Sequence, residues 1–335
     1  MMISPASLLA ALSCLPRARQ TKVRLRAAFR YREAPSREGP EHDMLALRPT
    51  PDSLTSPNRR QSLLGLTLFA ALVIALVAAL EHYVSGFSDT TVKVTPSFAL
   101  VRETLLLAAV ALPTFVVARL EKQTVLSYGL RGNDRRGYFG TGLVWGIASA
   151  SLLVICLFAT GHLVLDGVQL RGFAAVRYGI SWAGCFLLVG LTEEMLFRGY
   201  LQSALARLIG FWPAAAVLSA LFGILHLRNS NEMLFGIAVV ALGGAFFTLG
   251  LRRTGSLWWG IGFHTAWDWS QSFLYGTPDS GILIASRLFL THPVGASILS
   301  GGTVGPEGSL LVLPVMALAL ILMFGILRPG PKDTP

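Results

Sequence analysis

The chain has 335 residues, 53% of them hydrophobic and only 14% charged, with a mean hydropathy of +0.58. A soluble globular protein does not have this balance, so an integral membrane protein is expected. The formal net charge of +10 is not the mark of a nucleic-acid partner, because the first 60 residues alone hold eleven Lys/Arg against five Asp/Glu. Topogenic charge and attraction to anionic lipid account for such an excess. The partner this balance predicts is the lipid bilayer.

Residues 1–60 are rich in Pro, Arg and Ser without apolar periodicity and read as a disordered basic cytoplasmic tail, with Met1 and Met44 both compatible starts. Eight apolar segments follow, near 63–80, 104–120, 138–160, 179–200, 212–227, 234–251, 257–274 and 310–327, and each is read as a membrane span. The fold class is therefore an all-α, polytopic transmembrane helical bundle of about eight spans, covering 61–328, with a short tail at 329–335. One alternating set of loops and flanks carries twelve Lys/Arg and the opposite set six. The positive-inside rule then places both termini in the cytoplasm of a multi-pass cell-membrane protein. The loop between the last two segments, about 275–309, is expected to be mobile or re-entrant. Cys14, Cys156 and Cys185 form no CxxC pair, and the latter two read as small apolar side chains.

Polar groups break the apolar helices at three places. Glu193-Glu194-x-x-x-Arg198 follows directly on the apolar run 180–191, His226 ends the fifth segment, and His264-x-x-x-Asp268 lies within the seventh. Ionisable groups at membrane depth are expensive and mark working sites. Glu194 and Arg198 are four apart on one helix face and are read as a structural ion pair. Glu193, about 100° further round the helix, cannot address the same partner equally and is left for the chemistry. If the fourth helix runs unbroken to about Arg207, Glu193 lies about 21 Å from its cytoplasmic end, with His226 about 22 Å, His264 about 10 Å and Asp268 about 16 Å in.

A carboxylate in an apolar site can activate a water, and imidazoles beside it can donate to the oxyanion of a hydrolysed amide. A divalent metal such as zinc on Glu193, His226 and His264 is the alternative. HExxH and Gly-x-Ser-x-Gly are both absent.

These motifs, Glu193-Glu194-x-x-x-Arg198, Phe222-x-x-x-His226 and His264-x-x-x-Asp268, resemble those of the CPBP intramembrane proteases. That family includes the type II CAAX prenyl endopeptidases and bacteriocin-processing or immunity (Abi-like) proteins. The match spans 179–270. The resemblance implies an intramembrane endopeptidase, metal- or glutamate-dependent, in which Glu193 activates water and His226 assists. His264 and Asp268 occupy the family's His and its Asn or Asp. An ionised Asp268 only accepts hydrogen bonds, so it would orient His264, bind a metal or work protonated. The reaction is expected in a cavity open to the cytoplasmic side. The rival readings are a non-catalytic scaffold or immunity protein on the same fold, and a proton-coupled transporter.

Overall fold

In a computed structural model of the chain, residues 57–85, 94–131, 134–228 and 234–327 are described. The expected tails, 1–56 of the basic segment and 329–335, lie outside them. Nearly all regular structure among the described residues is helical: α1 (Arg59–Ser85), α2 (Pro96–Leu120), α3 (Arg135–Ala159), α4 (Gly172–Glu194), α5 (Leu201–Ile209), α6 (Phe211–Leu225), α7 (Leu234–Thr254), α8 (Leu257–Trp269), the single turn α9 (Ser297–Ser300) and α10 (Val312–Ile326). Each of the eight apolar segments has become a helix. The count of eight spans does not follow, however. Five helical stretches among the described residues are long and apolar enough to cross a membrane: Arg59–Tyr83, Pro96–Leu120, Arg135–Ala159, Gly172–Ile209 and Leu234–Thr254. The 15 residues of α6 and of α10 and the 13 of α8 reach about 20–22 Å, short of the roughly 30 Å hydrocarbon core.

The fourth helix is not unbroken. α4 opens at Met195–Tyr200 into a wide π turn, with Gly199 at φ −81°, ψ −112°, before α5 resumes. A residue in such a conformation carries no regular helical hydrogen bond, so the depth count from Arg207 to Glu193 does not hold as drawn. The bend is useful to the packing. Tyr200 Oη donates to Glu121 at 2.8 Å, Arg207 donates to the same carboxylate at 2.9 and 3.0 Å, and Tyr128 Oη donates to it at 3.1 Å. This buried knot ties the end of α2 to α5. Burial, then the Glu121 carboxylate, pushes the Tyr128 phenol above its usual range, so it remains a donor.

The loop after α8 is built, not loose. Phe289–Pro293 (β2) pairs antiparallel with Leu163–Val168 (β1), with Leu163 opposite Pro293, Val168 opposite Phe289 and an irregularity between Leu165 and Gly167. Trp182 Nε1 donates to Ala285 O at 3.1 Å, and the Arg287 guanidinium donates to Gly276 O at 2.8 Å, pinning the loop to α4 and to itself.

α8, which carries two of the polar residues, is placed by its contact with α3. A Cβ on Gly142 or Gly146 of α3 would collide with the α8 carbonyls of Trp259 and Phe263, and one on Gly262 of α8 would collide with the Phe139 carbonyl. The backbones meet this closely only because side chains are missing, the usual device of helix packing in lipid. Gly142→Ala is expected to cost about 1–3 kcal/mol through overpacking. A thermal midpoint in detergent equal to that of the parent protein would show that the two helices have slack.

Candidate active site

The polar residues converge from four elements. Glu193 and Glu194 sit at the end of α4, Arg198 in the π turn, His226 just past α6, and His264 and Asp268 on α8. π turns are frequent at functional sites, and here one follows Glu194 while a second, Ser270–Leu274, follows Asp268.

The Glu pair divides by environment. Glu193 is 28% exposed and lines a cavity of about 430 Å³, and its Oε2 has no hydrogen-bond partner. Glu194 is 1% exposed, lies off that cavity and holds Arg198, itself 2% exposed, at 3.2 Å. A Cβ on Gly260 would come within 3.1 Å of Glu194 Oε2, so the bare backbone of α8 makes room for this carboxylate. The Arg198 guanidinium also lies over the Phe222 ring, 4.5 Å from its centroid. This adds cation–π attraction in a site with little water.

His264 is the hub. Its Nε2 is 3.6 Å from Glu193 Oε2 and 3.6 Å from Asp268 Oδ2, and its Nδ1 is 3.4 Å from Glu194 Oε1. The ring stacks on Phe247 at 5.0 Å and 20°. The two adjacent glutamates thus do share a partner, contrary to the helical-wheel expectation, because the imidazole presents a different nitrogen to each. Both nitrogens face carboxylate oxygens, which only accept, so the surroundings suit an N–H at either position.

His226 lines the same cavity, half-buried, but makes no hydrogen bond to the other three. Its Nδ1 lies 2.8 Å from Phe222 O, an acceptor, so Nδ1 carries the proton and a neutral ring keeps its lone pair on Nε2. The Phe222 ring packs edge-on between the two imidazoles, 4.8 Å from His226 and 6.4 Å from His264.

The sequence reading missed other groups that line this cavity. Arg102 and Glu103 come from α2, which starts eight residues before the expected span at 104 and so contains a buried carboxylate that the span left out. Asp279 and Glu307 come from the ordered loop, and nothing in their local sequence sets them apart from ordinary loop acids. Gln271 Nε2 lies 3.5 Å from both, and Ser280 donates to Glu307 through its hydroxyl at 2.9 Å and through its backbone N–H. Burial, then the neighbouring Glu307 charge, holds the Asp279 carboxyl well above the usual range.

The ordered loop after α8 forms one wall of this cavity. Asp279, Ser280, Ile282 and Glu307 of the 275–311 loop line the cavity, whereas no residue of the arginine-rich loops at the opposite end of the helices does. On that side Arg198, Glu194 and the aromatic rings pack across the gap.

Among the described residues, no group of three or more His, Cys, Asp or Glu side chains is placed to hold a metal ion, and Glu193, His226 and His264 are not such a group. The bond from His226 Nδ1 to a backbone carbonyl leaves Nε2 free, as in a metal-ligating imidazole, but His226 stands apart from the cluster of Glu193 and His264.

Residues 175–270 match the family described as type II CAAX prenyl endopeptidase Rce1-like. No curated protein matches the chain. The matched stretch begins early in α4 and ends just past α8, so it contains Glu193, Glu194, Arg198, His226, His264 and Asp268. The likeness to the CAAX-type endopeptidases covers this stretch alone, which is set within a bundle of helices of which five, among the described residues, are long and apolar enough to cross a membrane.

Proposed function

We propose that the protein is an intramembrane endopeptidase that hydrolyses a peptide bond of a membrane-associated peptide or protein, with Glu193 as the base that activates water. The observation that carries this is the contrast within the Glu pair. Glu194 is consumed by Arg198 and His264, whereas the Glu193 side chain lines the cavity and is 28% exposed.

In this reading a water sits in the cavity against the Glu193 carboxylate and attacks the scissile carbonyl as the carboxylate takes its proton. The proton then passes to the leaving amine, restoring the carboxylate. His264, held between Glu193, Asp268 and Glu194, donates an N–H to the oxyanion. Glu194 fixes the ring from Nδ1, so the N–H given to the oxyanion is that of Nε2, which Asp268 faces in the resting site. Neutral His226 accepts at Nε2 and orients the water, a role different from oxyanion donor that follows from its bond to Phe222 O. No step is routed through a metal.

The test is a cleavage assay of the purified full chain on a membrane-peptide library. His264→Ala is expected to slow cleavage by about 10²–10³-fold, the usual cost of losing an oxyanion donor. Cleavage at the parental rate in both His264→Ala and His226→Ala would reject the assignment. Loss of cleavage in chelator would restore the metal-dependent alternative, and substrate uptake by proteoliposomes without cleavage would favour the transporter.

A further inference from the structure

A second cavity, of about 670 Å³, lies at the other end of the bundle, among the α2–α3 loop, the α5–α6 junction and the α7–α8 turn. Arg131, Arg198 and Arg252 line it against a single carboxylate, Asp134. Arg252 is held in place by Phe211 and Trp212, whose ring centroids lie 4.8 and 5.4 Å from its guanidinium carbon. At the inner wall, Arg198 gives one nitrogen to Glu194, while its Nη2 is buried without a partner. The adjoining Ser203 and Ser256 supply hydroxyls. Glu193, His226, His264 and Asp268 do not line this cavity.

We propose that this cavity binds a phosphate group, that of an anionic phospholipid headgroup or of free phosphate. With Arg198 balanced by Glu194, Arg131 and Arg252 against Asp134 still leave a local positive excess inside a concave site. The planar fork of Arg matches phosphate oxygens in pairs. The cavity also lies at the end of the helices whose loops carry most of the basic residues, the end that a membrane surface rich in anionic lipid attracts.

The experiment uses the full chain in neutral detergent, titrated with inorganic phosphate, short-chain phosphatidylglycerol or short-chain phosphatidylcholine, and reads affinity from the thermal unfolding midpoint. Phosphatidylglycerol is expected to raise the midpoint more than phosphatidylcholine. An Arg131→Ala/Arg252→Ala variant should bind it at least about tenfold more weakly, the size expected when a charge-assisted hydrogen bond is lost. Both positions are exposed, and Arg252→Lys, which keeps the charge but loses the fork, guards against a folding defect. Arg135→Ala/Arg136→Ala, which removes two exposed charges outside the cavity at the same end, should bind like the parent. A response to phosphatidylglycerol but not to inorganic phosphate assigns a lipid headgroup; a response to both assigns the phosphate group itself. The proposal is overturned by no response to either anion, by equal losses in the two double variants, or by unchanged phosphate binding in Arg131→Ala/Arg252→Ala. The last result, joined to a raised KM for peptide, would hand the cavity to the substrate.

Discussion

Glu193→Gln is expected to lower the rate of peptide cleavage by about 10²–10⁴-fold, the range removed with a general base, and to leave the thermal midpoint of the protein unchanged. The amide keeps the volume and one acceptor oxygen, but it cannot take a proton from water. Structurally little is lost, because Oε2 of Glu193 has no hydrogen-bond partner and the side chain is partly open to the cavity. Its separation from His264 Nε2, 3.6 Å, is a loose electrostatic contact that a neutral amide weakens without leaving a charge buried alone. Rate and stability should therefore come apart at this position. If cleavage survives in Glu193→Gln, the carboxylate is not the base. If the cellular phenotype survives while no cleavage is ever detected in the parent, the non-catalytic scaffold reading takes its place.

Glu194→Ala and Arg198→Ala should do the opposite and unfold the protein at lower temperature, each losing about 3–5 kcal/mol. Both side chains are almost wholly buried, 3.2 Å apart; removing Glu194 leaves the Arg198 charge among Phe197, Phe222 and Phe247, and removing Arg198 leaves Glu194 only the His264 imidazole. A double-mutant cycle isolates the pair, since the two losses should be strongly non-additive. A buried pair is a weak source of net stability compared with apolar side chains of similar volume. Glu194→Leu/Arg198→Met is thus expected to recover much of the midpoint lost in the single variants. The recovered protein should still cleave poorly, because Glu194 Oε1 also lies 3.4 Å from His264 Nδ1. A single alanine variant that melts with the parent would remove the structural role from the pair.

Much of this was legible in the chain. Apolar runs of membrane length, broken by Glu193-Glu194-x-x-x-Arg198, His226 and His264-x-x-x-Asp268, specify helices and put six ionisable residues where they are costly. The four-residue spacing alone predicts the Glu194–Arg198 pair, because that contact lies within one helix turn. Helix length, by contrast, depends on where caps and neighbouring helices stop a run. α6, α8 and α10 are therefore shorter than their apolar segments suggest.

Tertiary structure decided the rest, and the reason in each case is that the contact is non-local. β1 and β2 are too short to announce themselves, and each exists only because a partner more than a hundred residues away supplies its hydrogen bonds. Asp279 and Glu307 read as loop acids until that loop is folded over the cavity. The wide turn at Met195–Tyr200 breaks the count of 1.5 Å per residue on which the depth estimate relied. His264 shows the division most clearly. The sequence determined that this imidazole shares a helix face with Asp268. Only the close packing of α8 on α3 and α4, through Gly142, Gly146 and Gly260, decided that it meets Glu193 at one nitrogen and Glu194 at the other.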